Sequence, residues 1–128
     1  MIIVKHKDEL RGTSRAVETK EYATTRFLLR EDGVGMTVTD VTLKAGIDAT
    51  IQYKNHVEVC YCLEGEATLE DFETGQIHRI RPGTLWALPK HERHRFTAKG
   101  AVRLVSIFVP ALVGAETWDE DGSFPLLP

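Results

Sequence analysis

The sequence predicts an all-β protein, a sandwich or barrel with only short helical turns. Apolar and polar residues alternate over short segments that recur roughly every 8–12 residues. Turn-forming residues punctuate the chain between those segments, and no stretch carries a long helical period. No internal repeat, low-complexity stretch or linker interrupts the 128 residues. Residues 1–128 are therefore read as one domain, long enough to bury a core without staples.

Residues 2–4 form a short apolar segment suited to an edge strand, and Arg11–Arg15 is a polar turn. Thr19 is placed to cap a short helical turn over Lys20–Ala23. Thr25–Arg30 reads as a strand ended by the turn signal Glu31-Asp32-Gly33. In residues 35–43 the alternation changes phase between Met36/Val38 and Val41/Leu43, which predicts one strand with a bulge near Thr39-Asp40. Ala49, Ile51 and Tyr53 share a face of the next strand. In 57–63, Val57, Val59, Tyr61 and Leu63 point one way while Glu58, Cys60, Cys62 and Glu64 point the other. Segments 66–71 and 76–80 flank Phe72-Glu73-Thr74-Gly75 as a hairpin. Strands over Thr84–Leu88, His94–Ala98 and Ala101–Val109 follow, the last with Val102, Leu104, Ser106 and Phe108 on one face. Gly114–Pro128 is an acidic, proline-ended tail.

Composition excludes several classes of function. Hydrophobic residues make up 42% and charged residues 27%, with a net charge of −3, which gives no support for nucleic acid or an anionic membrane as partner. No apolar run approaches a membrane span and no signal-peptide core opens the chain, so a cytoplasmic protein is expected. The two cysteines, Cys60 and Cys62, are too far apart along one strand to favour a bridge, and no second pair completes a zinc site. They read as small buried hydrophobes.

The chemistry concentrates on Glu58 and His94. A carboxylate on an apolar strand beside two thiols needs a cation, a proton or a hydrogen-bond partner if it is buried. One carboxylate and one imidazole from neighbouring strands can share a divalent ion; the alternatives are a water-facing carboxylate and a loop-end histidine. His56 suits a partner that supports the site residues from behind, a rim position or the surface. Arg26, flanked by Thr25 and Phe27-Leu28-Leu29, would suit a substrate carboxylate if it faces inward, or otherwise a solvated strand end. Trp86 and Trp118 are core residues, or pocket walls if the barrel is open.

The spacing Glu58-x6-Gly65 resembles the first motif of the cupin barrels, and Pro89-Lys90-His91-Glu92-Arg93-His94 resembles the second. Nearly end to end, the chain also resembles ectoine synthases. The segments that carry the likeness include Arg11-Gly12-Thr13, Thr25-Arg26-Phe27-Leu28-Leu29, Asp32-Gly33-Val34-Gly35-Met36 and Tyr53-Lys54-Asn55-His56-Val57-Glu58. They continue through Tyr61–Glu66, Arg81-Pro82-Gly83-Thr84-Leu85, His91-Glu92-Arg93-His94, Arg103-Leu104-Val105 and Asp119–Leu127.

The resemblance implies a jelly-roll-like cupin barrel and a homodimer. It also implies closure of N-γ-acetyl-2,4-diaminobutyrate to a tetrahydropyrimidine carboxylate, with loss of water. It further implies Fe2+ or another divalent ion. The three-histidine set of many cupins is missing, since Gln52 and Lys54 stand where the first two would fall. Ectoine synthases are similar to one another in holding iron through Glu, Tyr and His. Glu58 and His94 match, but the tyrosine position reads Trp86, whose indole N–H only donates. A weakly held ion is therefore expected. Glu58, His94 and Tyr53 are the catalytic candidates; Arg26, Tyr22, Tyr53, Trp86, Ser106, Phe108 and Trp118 are the substrate-binding candidates. Tyr22, Ser106 and Trp118 stand where the family carries tryptophan, cysteine and histidine. These changes leave open a cupin that acts on, or merely binds, a different small amino-acid-derived solute.

Overall fold

A computed structural model describes all 128 residues. Its ten strands are β1 (Ala16–Glu18), β2 (Tyr22–Arg26), β3 (Thr37–Leu43), β4 (Asp48–Ile51), β5 (Val57–Glu64), β6 (Ala67–Asp71), β7 (Ile77–Ile80), β8 (Leu85–Leu88), β9 (His94–Thr97) and β10 (Val102–Val109). A six-stranded sheet has the order β1-β2-β3-β10-β5-β8 and a four-stranded sheet the order β4-β9-β6-β7, with every pairing antiparallel. The inner faces of both line one cavity. This is the expected all-β class, a jelly-roll-like sandwich of two sheets.

The alternation of β5 and β10 explains why they lie at the centre. Cys60, Cys62, Val102, Leu104, Ser106 and Phe108 are all buried, while the intervening residues face outward. A one-residue slip would expose that whole set. The core they begin is completed by Ile51, Leu69, Ile80, Phe96 and Leu112 from the facing sheet and the loops.

Four sequence expectations are corrected. Lys20–Ala23 is not helical. Thr19 does accept the amides of Glu21 and Tyr22 through Oγ1, at 3.2 Å each, but it does so in a tight β1–β2 turn closed by Thr19 N to Tyr22 O at 2.8 Å. A hydroxyl that satisfies two successive N–H groups serves a turn as well as a helix start. The strand expected at Thr25–Arg30 is therefore shifted back to Tyr22–Arg26, and Arg30–Asp32 forms a 3-10 turn.

In β3 no bulge occurs: Thr37 through Leu43 pair in continuous register with Phe108 through Val102. Thr37 and Thr39 point inward, their hydroxyls bonded to Leu112 N (2.7 Å) and Ser106 O (3.0 Å), so polar residues occupy the buried phase. The register shift lies instead between β10 and β5 at Arg103/Leu104. Residues 2–4 have no strand partner within the chain, and a short helix α1 (Lys7–Leu10) follows, capped by His6 Nδ1 accepting from Asp8 N at 3.1 Å.

The tail after β10 carries no strand, yet it is pinned. Lys54 N donates to Ser123 Oγ (3.0 Å) and Asn55 Nδ2 to Phe124 O (3.0 Å). Gly122, at φ 68°, makes the close approach: a Cβ there would sit 2.8 Å from Ile51 Cα and clash with the Thr50 carbonyl. Only glycine meets both demands.

Candidate active site

β2, β3, β5, β8, β9, β10 and the tail each place side chains on a single cavity of about 50 Å³ between the sheets. Most of its lining is hydrophobic; the polar minority includes Arg26, Glu58, His94 and Ser106. Space of that size holds a few waters.

Glu58 is buried on β5, opposite Phe108 of β10. Its Oε2 accepts a 2.5 Å hydrogen bond from Ser106 Oγ, and the Cys60 thiol donates to Ser106 at 3.7 Å. Burial, partly offset by these donors, pushes the Glu58 carboxyl up to about 7. The same burial, with the Glu58 charge next to it, holds the Cys60 thiol protonated. Cys60 is thus more than filler: it lines the cavity and supports the serine that orients Glu58. The only sequence sign of this was the shared inward phase of 58, 60 and 62.

His94 is buried at the start of β9. Its Nδ1 lies 2.9 Å from Glu92 O, an acceptor only, so Nδ1–H donates and Nε2 keeps its lone pair free. Burial lowers its basicity and favours the neutral ring. Trp86, register partner of Cys60, walls the cavity and stacks on Phe96 at 6.0 Å. No group of three or more His, Cys, Asp or Glu side chains converges anywhere in the protein. Glu58 and His94 supply two protein donors on one cavity where a closed site needs more. A divalent ion there would need ligands beyond these two side chains.

Tyr53 is fully enclosed. Trp118 Nε1 donates to its hydroxyl at 2.8 Å, and its ring packs edge-on against Phe108 at 5.0 Å. Burial, with the Glu58 charge adding to it, holds the phenol protonated. Tyr22 meets Trp118 edge-on at 4.9 Å. Arg26 is 1% exposed, which removes the solvated strand-end reading. Its Nη1 donates to Gly114 O at 2.8 Å, its Nη2 to Glu116 O, and Phe124 lies under the guanidinium at 5.5 Å. Burial makes this cation expensive, lowering its affinity for the proton.

The sequence reading missed Phe124, Thr24 and Glu116. Phe124 closes the aromatic wall against Tyr53 and Phe108, and Glu116 accepts from Val113 N and Gly114 N at 2.7 Å each. Nothing local in an acidic tail signals such burial. His56 is not a surface residue: it is 2% exposed, edge-on to Phe108 and Phe124, and outside the main cavity.

Comparison with known proteins covers the chain from end to end. A sequence profile described as ectoine synthase matches residues 1–128. The chain belongs to the ectoine synthase family. The L-ectoine synthase of Oceanobacillus iheyensis is 41% identical over 126 residues, covering 98% of both chains. The crystal structure of ectoine synthase from P. lautus is 42% identical, with a TM-score of 0.87 over 99% of this chain and 92% of that one. An RmlC-like cupin from Shewanella frigidimarina, 18% identical with a TM-score of 0.62 over 75% of this chain and 82% of that one, shows the shared cupin fold alone. No helix of this ectoine synthase family member is long and apolar enough to cross a membrane.

Proposed function

We propose that this protein is a cyclising hydro-lyase of ectoine synthesis, a single domain that closes N-γ-acetyl-2,4-diaminobutyrate, or a close analogue, to a tetrahydropyrimidine carboxylate. The observation that carries the proposal is the largely apolar cavity with Glu58, His94, Tyr53 and Arg26 on its wall, in a chain matched by the family end to end.

The α-amine attacks the acetamide carbonyl carbon, a C–N bond forms, and the carbonyl oxygen departs as water when the C=N bond is made. Glu58, with its carboxyl near neutrality, relays two protons from nitrogen to the carbonyl oxygen, one as the C–N bond forms and one as the C=N bond is made, so the oxygen leaves as water and no net proton is consumed. Ser106 holds that carboxylate in one orientation. The free Nε2 of His94 faces the same space, and the protonated Tyr53 hydroxyl can donate to the oxygen as its charge grows. Arg26 takes the substrate carboxylate; Tyr22, Trp86, Phe108 and Trp118 hold amine and carbonyl together. Exclusion of bulk water favours the dehydration. Fe2+ or another divalent ion held by Glu58 and His94 would polarise the acetamide carbonyl.

Turnover is tested by NMR with N-γ-acetyl-2,4-diaminobutyrate and added iron. Ring product from the wild type that disappears in Glu58→Ala supports the proposal. Binding without product favours a different amino-acid-derived solute, the reading to which Trp86 and Trp118 in the cavity wall lend weight. We also propose a cytoplasmic homodimer built on residues 2–4, whose Ile2 and Val4 side chains are 87% and 84% exposed. A Val4→Glu variant that becomes monomeric by light scattering would support it.

A further inference from the structure

Trp118 and Tyr53 lie 65 residues apart and meet through one hydrogen bond, in which Trp118 Nε1–H donates to Tyr53 Oη at 2.8 Å. The bond runs one way. An indole has a donor and no acceptor, whereas a phenol both accepts and donates. Tyr53 Oη is therefore the acceptor, and its own proton has no acceptor in the protein. A phenol proton lies near the ring plane, on one side of the oxygen or the other. With the indole on one side, the proton turns to the other. A histidine in place of Trp118 could accept as well as donate and would leave that direction open.

The two rings are held by their neighbours in the chain. Asp119, next to Trp118, accepts through Oδ1 from Asp121 N (2.9 Å) and Ser123 N (3.1 Å). Ser123 Oγ accepts in turn from the amide of Lys54, next to Tyr53, at 3.0 Å. Tyr22 meets the indole edge-on at 4.9 Å, and Phe108 and Phe124 pack on the phenol at 5.0 and 5.1 Å. With the rings fixed, the hydroxyl rotor is the freedom that remains, and the indole removes it. Tyr53 is 5% exposed, so bulk water does not compete for the proton. Tyr53, Trp118 and Glu58 all line the same cavity.

We propose that Trp118 is a positioning residue whose indole N–H commits the Tyr53 proton to the acetamide oxygen of the substrate. The inference rests on the proposed reaction and deepens it by naming the group that aims the Tyr53 donor. No proton is transferred along this chain. Glu58 carries both protons, and Tyr53 donates a hydrogen bond that strengthens as the oxygen gains charge. Accepting from the indole polarises the phenol and makes it the better donor.

The experiment is a double-mutant cycle with Trp118→Phe and Tyr53→Phe, read by ring formation from N-γ-acetyl-2,4-diaminobutyrate. Phenylalanine keeps an aromatic ring at each position and removes the indole donor or the hydroxyl. Trp118→Phe is expected to lower kcat about tenfold, as for the loss of one aligned hydrogen bond to a charging oxygen, and to change KM less than about twofold. In the Tyr53→Phe background the same change should have almost no further effect on kcat, since no phenol is left to orient. A second readout needs no turnover. The chain has two tryptophans, so nitrogen-edited proton NMR gives two indole signals, and Trp86→Phe identifies which belongs to Trp118. That signal should move upfield and exchange faster with solvent in Tyr53→Phe. In Glu58→Ala, where turnover stops, added N-γ-acetyl-2,4-diaminobutyrate should move it further downfield, because a phenol that donates accepts more strongly.

Additive losses in the cycle, or a Trp118→Phe variant that raises KM and leaves kcat unchanged, overturn the positioning role while leaving the proposed reaction standing. An indole signal indifferent to Tyr53→Phe overturns the role at its first step. A wild type that forms no ring product overturns the reaction and this role together.

Discussion

Replacing Arg26 by methionine tests whether this buried cation holds the tail on the cavity. Methionine has similar reach and no donor. The change removes Nη1 to Gly114 O at 2.8 Å and Nη2 to Glu116 O, both charge-assisted. At about 1.5–3 kcal/mol each, the two bonds are worth about 3–6 kcal/mol. Relief of the buried charge returns part of that, leaving about 2–3 kcal/mol net. At this chain length each kcal/mol moves the midpoint by about 3–4 °C, so a fall of about 6–12 °C is expected by calorimetry. Limited proteolysis should detect the same loss locally, as cleavage between residues 112 and 122 that the wild type resists. An unchanged melting temperature together with an unchanged cleavage rate would refute the argument.

Trp86→Tyr adds the oxygen donor that Glu58 and His94 lack. Iron affinity should tighten at least tenfold, since even indirect partners of a metal are worth roughly 10–100-fold. Trp86→Phe opens similar space without the oxygen, and equal affinity in the two variants would count against the donor explanation. Asp32 accepts from Arg15 (2.8 Å), Lys5 (3.1 Å) and Leu29 N (2.8 Å), and the Arg15 bond chiefly depresses its carboxyl to about 2. A depressed carboxylate stabilises the fold above its unfolded value near 4, and that contribution is lost as pH falls from about 4 to 2. Asp32→Asn should therefore cost about 1–2 kcal/mol at pH 7 by urea unfolding, allowing for solvent screening. Its difference from wild type should shrink towards pH 2; a pH-independent difference would sink the assignment. Gly122→Ala should loosen the tail through the clash with β4, raising KM and proteolysis together; no change in either would mean that the tail docks elsewhere.

Much of this protein is legible in its residues. The central strands follow from strict alternation over 57–63 and 101–109, because a strand with one buried face tolerates only one phase. The same phase turns Glu58, Ser106 and Phe108 inward, where all three are buried. Where the buried phase is polar, the pattern misleads. Thr37 and Thr39 look exposed until Leu112 N and Ser106 O satisfy their hydroxyls, and the apparent phase change in β3 is that substitution of hydrogen bonds for apolar contact. Thr19 misleads for a related reason: its local bonds suit either a helix or a turn, and pairing with β1 and β3 decides the outcome.

The sequence by itself determined what depends on periodicity and local chemistry: the fold class, the inward strands and the choice of Glu58 and His94 as candidates, both of which line the cavity. Only the tertiary structure decided what depends on distant partners. It set Arg26 against carbonyls 88 and 90 residues away and laid Trp118 on Tyr53 across 65 residues. It also brought Tyr22, Thr24 and Arg26 together on one wall of the cavity. Whether a buried donor is satisfied is a property of every chain segment that surrounds it, and no local window contains them all.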